Sequence, residues 1–234
     1  MHKYILATLA TFCLLTTNVL AGSWGMGVAG TLAGVSASGS ETESANTTGM
    51  SGSAENSVRD ATAGNDFIVG SVYLEYSMGD AENFTVGVDY IPFSADVNRE
   101  TLSRTDTTAD NNEAQQQDGK RTANAEIDNH ITYYVEAGST WYGKLGFAQV
   151  DIKTNDTETH AGTSGLYPDK TLDAWTYGIG YKGTFGDRGI FKVEGFMTDY
   201  DSYSATNNSG KTSTKTVTAD LDVVGASLRV GMKF

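Results

Sequence analysis

The end of the chain alternates between apolar and polar positions with a period of two. Val224, Ala226, Leu228, Val230, Met232 and Phe234 form a wholly apolar face, and Gly225, Ser227, Arg229, Gly231 and Lys233 form a polar or very small one. Period two is the mark of a β-strand, and this contrast fits a wall between an apolar solvent and a packed polar interior. Seven earlier segments read the same way. Trp24, Met26, Val28 and Leu32 alternate with Gly25, Gly27, Ala29 and Thr31, and Ile68, Val72, Leu74 and Tyr76 with Ser71, Tyr73, Glu75 and Ser77. Phe84, Val86, Val88 and Tyr90 face away from Thr85, Gly87 and Asp89; Ile127, Ile131, Tyr133 and Val135 oppose Asp128, His130, Thr132 and Glu136. Trp141, Leu145 and Phe147 oppose Tyr142, Lys144 and Gly146; Trp175, Tyr177, Ile179 and Tyr181 oppose Thr176, Gly178, Gly180 and Lys182. Phe191, Val193 and Met197 oppose Lys192, Glu194 and Thr198. Each segment is close to the roughly 9–11 residues that a tilted strand uses to cross a bilayer. No segment reads as a helix.

The connections separate a barrel from a secreted sandwich, whose edge strand could end in the same alternation. Segments 77–83, 137–140 and 183–189 are short, whereas 36–65, 94–124, 153–172 and 201–216 are long and rich in Ser, Thr, Asn, Asp and Gly. Short turns at one end and long loops at the other predict an all-β fold, an eight-stranded antiparallel transmembrane up-and-down barrel with periplasmic turns and external loops. Aromatic positions provide an independent check. Trp24, Tyr76, Phe84, Trp141, Tyr181 and Phe191, joined by Phe234, fall at the turn end on the apolar face, where a membrane barrel carries a girdle of rings at the headgroup level.

Residues 1–21 have a short positive start at Lys3, an apolar run from Ile5 to Leu15 and a small-residue site at Val19-Leu20-Ala21, and they read as a cleaved signal peptide. The expected division is therefore a leader over 1–21 and a barrel over 22–234, in the outer membrane with both termini periplasmic. Cys13, the one cysteine, falls in the leader, so the mature chain has no thiol for a disulfide, a metal or a nucleophile. Losing Lys3 leaves 15 basic against 29 acidic residues, a net charge of −14. Such a balance argues against nucleic-acid binding, which needs a basic stripe. The 27 glycines and 12 tyrosines against 2 prolines suit many short strands.

By parity, the predicted interior receives Glu75, Asp89, Asp128, Glu136 and Glu194 together with Lys144, Lys182, Lys192 and Arg229, with His130 among them. An eight-stranded barrel is only wide enough to be filled by side chains, and ions there must pair. The expected result is a salt-bridged plug with Arg229 as its hub. Small residues on the adjoining first strand leave its guanidinium free to reach Glu75 or Glu194, two at once by its planar fork. A gated narrow pore is the alternative.

Catalytic signals are thin. His130-Ile131-Thr132 is a variant of the His-x-Ser pair of lipid A deacylases, but its nucleophile is Thr and its predicted direction is inward. His130 is expected instead to hydrogen-bond interior carboxylates. His160 has no neighbouring His or Cys, so no metal site and no cofactor are predicted. Loop acids such as Asp106, Asp110, Glu113 and Asp118 read as solvated charge, with divalent cations bridging lipopolysaccharide as the alternative.

Two further patterns are similar to known proteins. Leu228, Val230, Met232 and a final Phe234 resemble the terminal strand recognised by the bacterial barrel-assembly machinery. Val193-Glu194-Gly195-Phe196-Met197-Thr198-Asp199-Tyr200-Asp201 and Tyr142-Gly143-Lys144-Leu145-Gly146-Phe147-Ala148 resemble strands of the OmpA/OmpX/opacity-like small outer-membrane barrels. That resemblance implies a structural or surface-interaction role, with outer-membrane lipid, lipopolysaccharide and an extracellular ligand or phage as partners. Because the chain stops at Phe234, no peptidoglycan-binding domain is expected. A small-solute pore and a lipid-modifying hydrolase are the competing readings.

Overall fold

The computed structural model describes residues 22–45, 57–79, 82–97, 102–109, 116–123, 125–155, 157–158, 167–206 and 213–234. Eight antiparallel strands form a closed ring: β1 (Gly22–Ala45), β2 (Ser57–Met78), β3 (Phe84–Ile91), β4 (Ala125–Ala137), β5 (Trp141–Thr154), β6 (Lys170–Phe185), β7 (Gly189–Tyr200) and β8 (Ser213–Lys233). Each pairs with the next in sequence, and β8 returns to β1 from Gly25↔Lys233 to Ala45↔Ser213. Closure leaves the ring without a free edge from the turn end up to the Val72↔Tyr90 pair. At one end the strands join through tight turns containing Gly79, Gly138 and Gly186, all with positive φ that a glycine adopts freely. At the other end the connections are long.

The outer face carries Trp24, Met26, Val28, Leu32, Leu74, Trp141, Ile179, Val193 and Leu228, all exposed, whereas charged side chains are buried inside. A water-soluble protein shows the reverse, so this is the surface of a membrane-spanning barrel. On β1 the apolar band runs from Trp24 to Leu32. At about 3.3 Å per residue and a tilt near 40° this rises roughly 20 Å, close to the band of a membrane barrel. Above it the outward positions of β1 turn polar at Ser36 and Ser38, and those of β8 at Asp222 and Asp220.

Three features depart from the sequence reading. β1, β2 and β8 are 24, 22 and 21 residues long, so most of segment 36–65 is strand rather than loop. Backbone pairing holds these polar segments extended, helped by side-chain hydrogen bonds such as Ser40 with Thr218 and by inward residues such as Ala37 and Leu221. Within the predicted loops 94–124 and 201–216, Leu102–Ala109 pairs with Gln116–Ala123, and Tyr203–Thr206 pairs with β8. In β4 the register slips between Asp128 and Ile131, where Asn129 has φ of 51°. The slip reverses parity, putting Ile127 inside and Asp128 outside the packed interior.

Candidate functional site: the barrel interior

The interior has two layers. Towards the turn end, alternation on β2, β3, β4, β5, β7 and β8 buries four carboxylates, Glu75, Asp89, Glu136 and Glu194, with three cations, Lys144, Lys192 and Arg229. Lys192 Nζ donates to Glu75 Oε2 at 2.6 Å and to Glu136 Oε2 at 2.7 Å. Lys144 Nζ donates to Glu194 Oε1 at 2.8 Å. Arg229 Nη2 lies 2.9 Å from Asp89 Oδ2 and 3.8 Å from Glu194 Oε1.

Three tyrosines complete this layer. Tyr134 OH donates to Glu75 Oε2 and Tyr142 OH to Glu194 Oε2, both at 3.0 Å. Lys144 sits 4.7 Å above the Tyr134 ring, and Arg229 lies 5.3 Å from that ring and 5.5 Å from Tyr73. Cations so placed gain from the negative ring faces where water is scarce. The rings fit because glycines face them. A Cβ on Gly87 would stand 2.4 Å from Tyr134, and one on Gly180 2.4 Å from Tyr142.

Two expected members lie elsewhere. Asp128 is at the loop-end rim, paired with Lys153, because the β4 slip turns it away from the interior. Lys182 is half-buried at the turn end, where Nζ donates to the Glu82 carbonyl at 2.9 Å. Arg229 pairs with two carboxylates, but they are Asp89 and, more loosely, Glu194. Arg229 does not reach Glu75, and its Nε and Nη1 have no hydrogen-bond partner among the described residues. The space beside Gly25 and Gly27 is taken by Glu75 and the Tyr73 hydroxyl instead. His130 meets the Tyr200 ring edge-on, 6.1 Å between centroids, rather than a carboxylate.

Above the ionic layer, the interior becomes apolar. Val35, Val97, Ile127, Val150, Ile152, Leu172, Leu221 and Val223 pack with Tyr200 and Tyr203 into one buried cluster. The sequence reading missed this layer, although its signal was present. On β5 the inward positions run Tyr142, Lys144 and Gly146, then Ala148, Val150 and Ile152, changing from polar to apolar halfway along. That run continues past the roughly 9–11 residues of a bilayer crossing at which the reading stopped.

On the outer face, Trp24, Phe84, Trp141 and Tyr181 are exposed at the turn end, with Tyr76 and Phe191 partly covered. Trp24 and Tyr76 pack at 5.0 Å, and Trp141 and Tyr181 at 5.4 Å. Leu228, Val230, Met232 and Phe234 all face outward, and the Phe234 amide donates to the Trp24 carbonyl at 3.0 Å. The side chains of Asp106, Asp110, Glu113, Asp118 and His160, and the whole of 1–21, lie outside the described residues.

No family model matches the chain, and no curated protein is detectably similar to it. Among solved structures it is similar to Ail, the attachment invasion locus protein of Yersinia pestis, seen in complex with the heparin analogue sucrose octasulfate. The identity is 8%, over 88% of this chain and 99% of that one, with a TM-score of 0.30. It is also similar to Neisserial surface protein A, at 11% identity over 85% and 96% of the two chains, with a TM-score of 0.26. Superpositions this loose bear on neither the ligands nor the activity of this chain.

Proposed function

We propose that the chain is an outer-membrane barrel of a Gram-negative bacterium, closed to solutes, that acts through its outer surface and its loop end. One observation carries the reading: the interior is filled twice over, by an ionic layer and by an apolar layer above it. A barrel that transports needs a continuous polar path, and the apolar layer interrupts it. The hydrolase reading finds no support, because the His130 ring and the Thr132 side chain are both turned inward, away from lipid.

In this reading residues 1–21 are the export signal, the turns and both termini are periplasmic, and the outer-facing residues of β8 ending in Phe234 are read by the assembly machinery. Lipid and lipopolysaccharide surround the band, and the acidic loops meet an extracellular ligand or a phage. Within such barrels, the two strand motifs favour the OmpA/OmpX/opacity-like type.

Protease sites inserted one at a time in intact cells test location and orientation together. Sites at Ser51, Gln116, Gly165 or Ser209 should be cut from outside, since connection tips tolerate insertion. Sites at Gly79, Ser139 or Gly186 should be protected until the outer membrane is opened. The opposite pattern reverses the orientation, and protection of every site removes the surface role.

A further inference from the structure

The ladder around the barrel is interrupted on one side. β3 ends at Ile91 because Pro92 follows it and has no N–H to give either neighbour. Pairing of β2 with β3 therefore stops at Val72↔Tyr90, although β2 continues beside β1 to Ser57. On the far side of the break, β4 is met again by Ala95 and Asp96 and by the Val97 amide, which donates to the Ala125 carbonyl at 2.8 Å, while Asn65 of β2 donates to the Asp96 carbonyl at 3.1 Å. Phe93 covers the interval, its Cε2 3.6 Å from where a Cβ on Gly70 would stand. Gly70 pairs with Gly30, inside the apolar band of the outer face. Phe93 itself is 60% exposed and neighbouring Ile68 is 80% exposed, so the break opens toward lipid rather than water.

Behind Phe93 a cavity of about 50 Å³ runs into the barrel between the ionic and apolar layers, its lining mostly apolar, with Phe67, Val69, Ile127 and Phe196 among it and Thr31, Thr198 and His130 as its polar members. At that size it takes roughly three or four water-sized groups. A mainly apolar lining favours carbon over water.

We propose that this breach admits the end of a lipid acyl chain, which passes Phe93 from the bilayer and fills the cavity. The proposal rests on the membrane-spanning reading above. An acyl chain is the occupant because the mouth is continuous with the lipid-facing band, and because a cavity this narrow suits a thin chain end and not a ring system. The chain is already out of water, so the gain is dispersion contact with a lining that lacks partners, not hydrophobic transfer. Phe93 acts as the flap and lies over Gly70.

The test places a reporter in the cavity. Phe196→Trp is made in a protein whose Trp24, Trp141 and Trp175 are changed to Phe, and is inserted into phosphatidylcholine vesicles brominated near the chain ends or near the headgroup. Flotation with the vesicles and heat-modifiable gel mobility score insertion and folding separately. Chain-end bromine should remove most of the emission and headgroup-proximal bromine little of it. Filling the cavity by Val69→Phe, or independently by Ala95→Phe, should restore the emission. Equal quenching with the cavity filled and unfilled, or no quenching of an inserted protein, overturns the proposal. Failure to float instead contradicts the membrane reading, and this proposal falls with it. Native mass spectrometry of the wild type from detergent–phospholipid micelles needs no reporter. It should show one retained lipid that Val69→Phe loses, and an equal signal from both proteins counts against the proposal.

Discussion

Lys192 holds two carboxylates, Glu75 and Glu136, in a layer where all three side chains are almost fully removed from solvent. Arg229, from which the fork geometry predicted that role, pairs closely with Asp89 and more loosely with Glu194, and its plane lies against Tyr73 and Tyr134. Strand parity made the membership of the layer legible, apart from Asp128, Lys182 and His130. Partner choice was not legible, because it depends on how far each side chain reaches across a closed ring. Tyr134 and Tyr142 show the same limit. Gly87 and Gly180 are the direct cross-strand partners of those rings, and that register is set only when the strands pair. Lys192→Met leaves two buried carboxylates without their cation and should destabilise the barrel by about 3–5 kcal/mol if the layer is dry. Urea unfolding in vesicles, followed by gel mobility, measures this. A loss near zero would mean that the carboxylates are solvated or protonated and that the layer does not hold the barrel together.

Individual strands were legible wherever one face met lipid and the other met side chains, and less so where both faces are polar. The upper halves of β1 and β2 have Ser, Gly, Ala and Thr on alternate positions and carry no amphipathic signal, yet they stay paired from Leu32↔Ile68 to Glu43↔Ser57. β4 misled the reading because a bulge at Asn129 reverses parity without changing composition. At the turn end a clasp joins elements far apart in sequence. Glu82 accepts from Ser23 of β1 at 2.9 Å, pairs with Lys233 of β8, and gives its carbonyl to Lys182 of β6. Burial alone would raise the Glu82 pKa, but hydrogen bonds from Lys233 and Ser23 hold it below the ordinary 4.5. A carboxyl whose folded pKa is depressed contributes stability above its unfolded pKa and loses it as pH falls through the folded value. Glu82→Gln should therefore flatten the fall in stability below about pH 4.5, with its largest effect near neutrality, in unfolding midpoints taken across pH. An unchanged acid limb would show that the clasp adds nothing to the closure of the seam.

For the whole molecule, the alternation of short and long connections was enough to read the ring and its strand number. The double filling of the interior was not, since the apolar layer uses residues that resemble any protein core. In the proposed reading, the two layers of opposite chemistry together close the barrel. Water that enters the ionic layer meets Val35, Val150, Leu172 and Val223 above it. This arrangement is why surface contact, rather than passage, is the function proposed. Single-channel recording of the purified protein in a planar bilayer tests that claim most directly. With insertion confirmed by vesicle flotation, the wild type should give a flat baseline; steady, stepwise conductance from the wild type would contradict the closed interior.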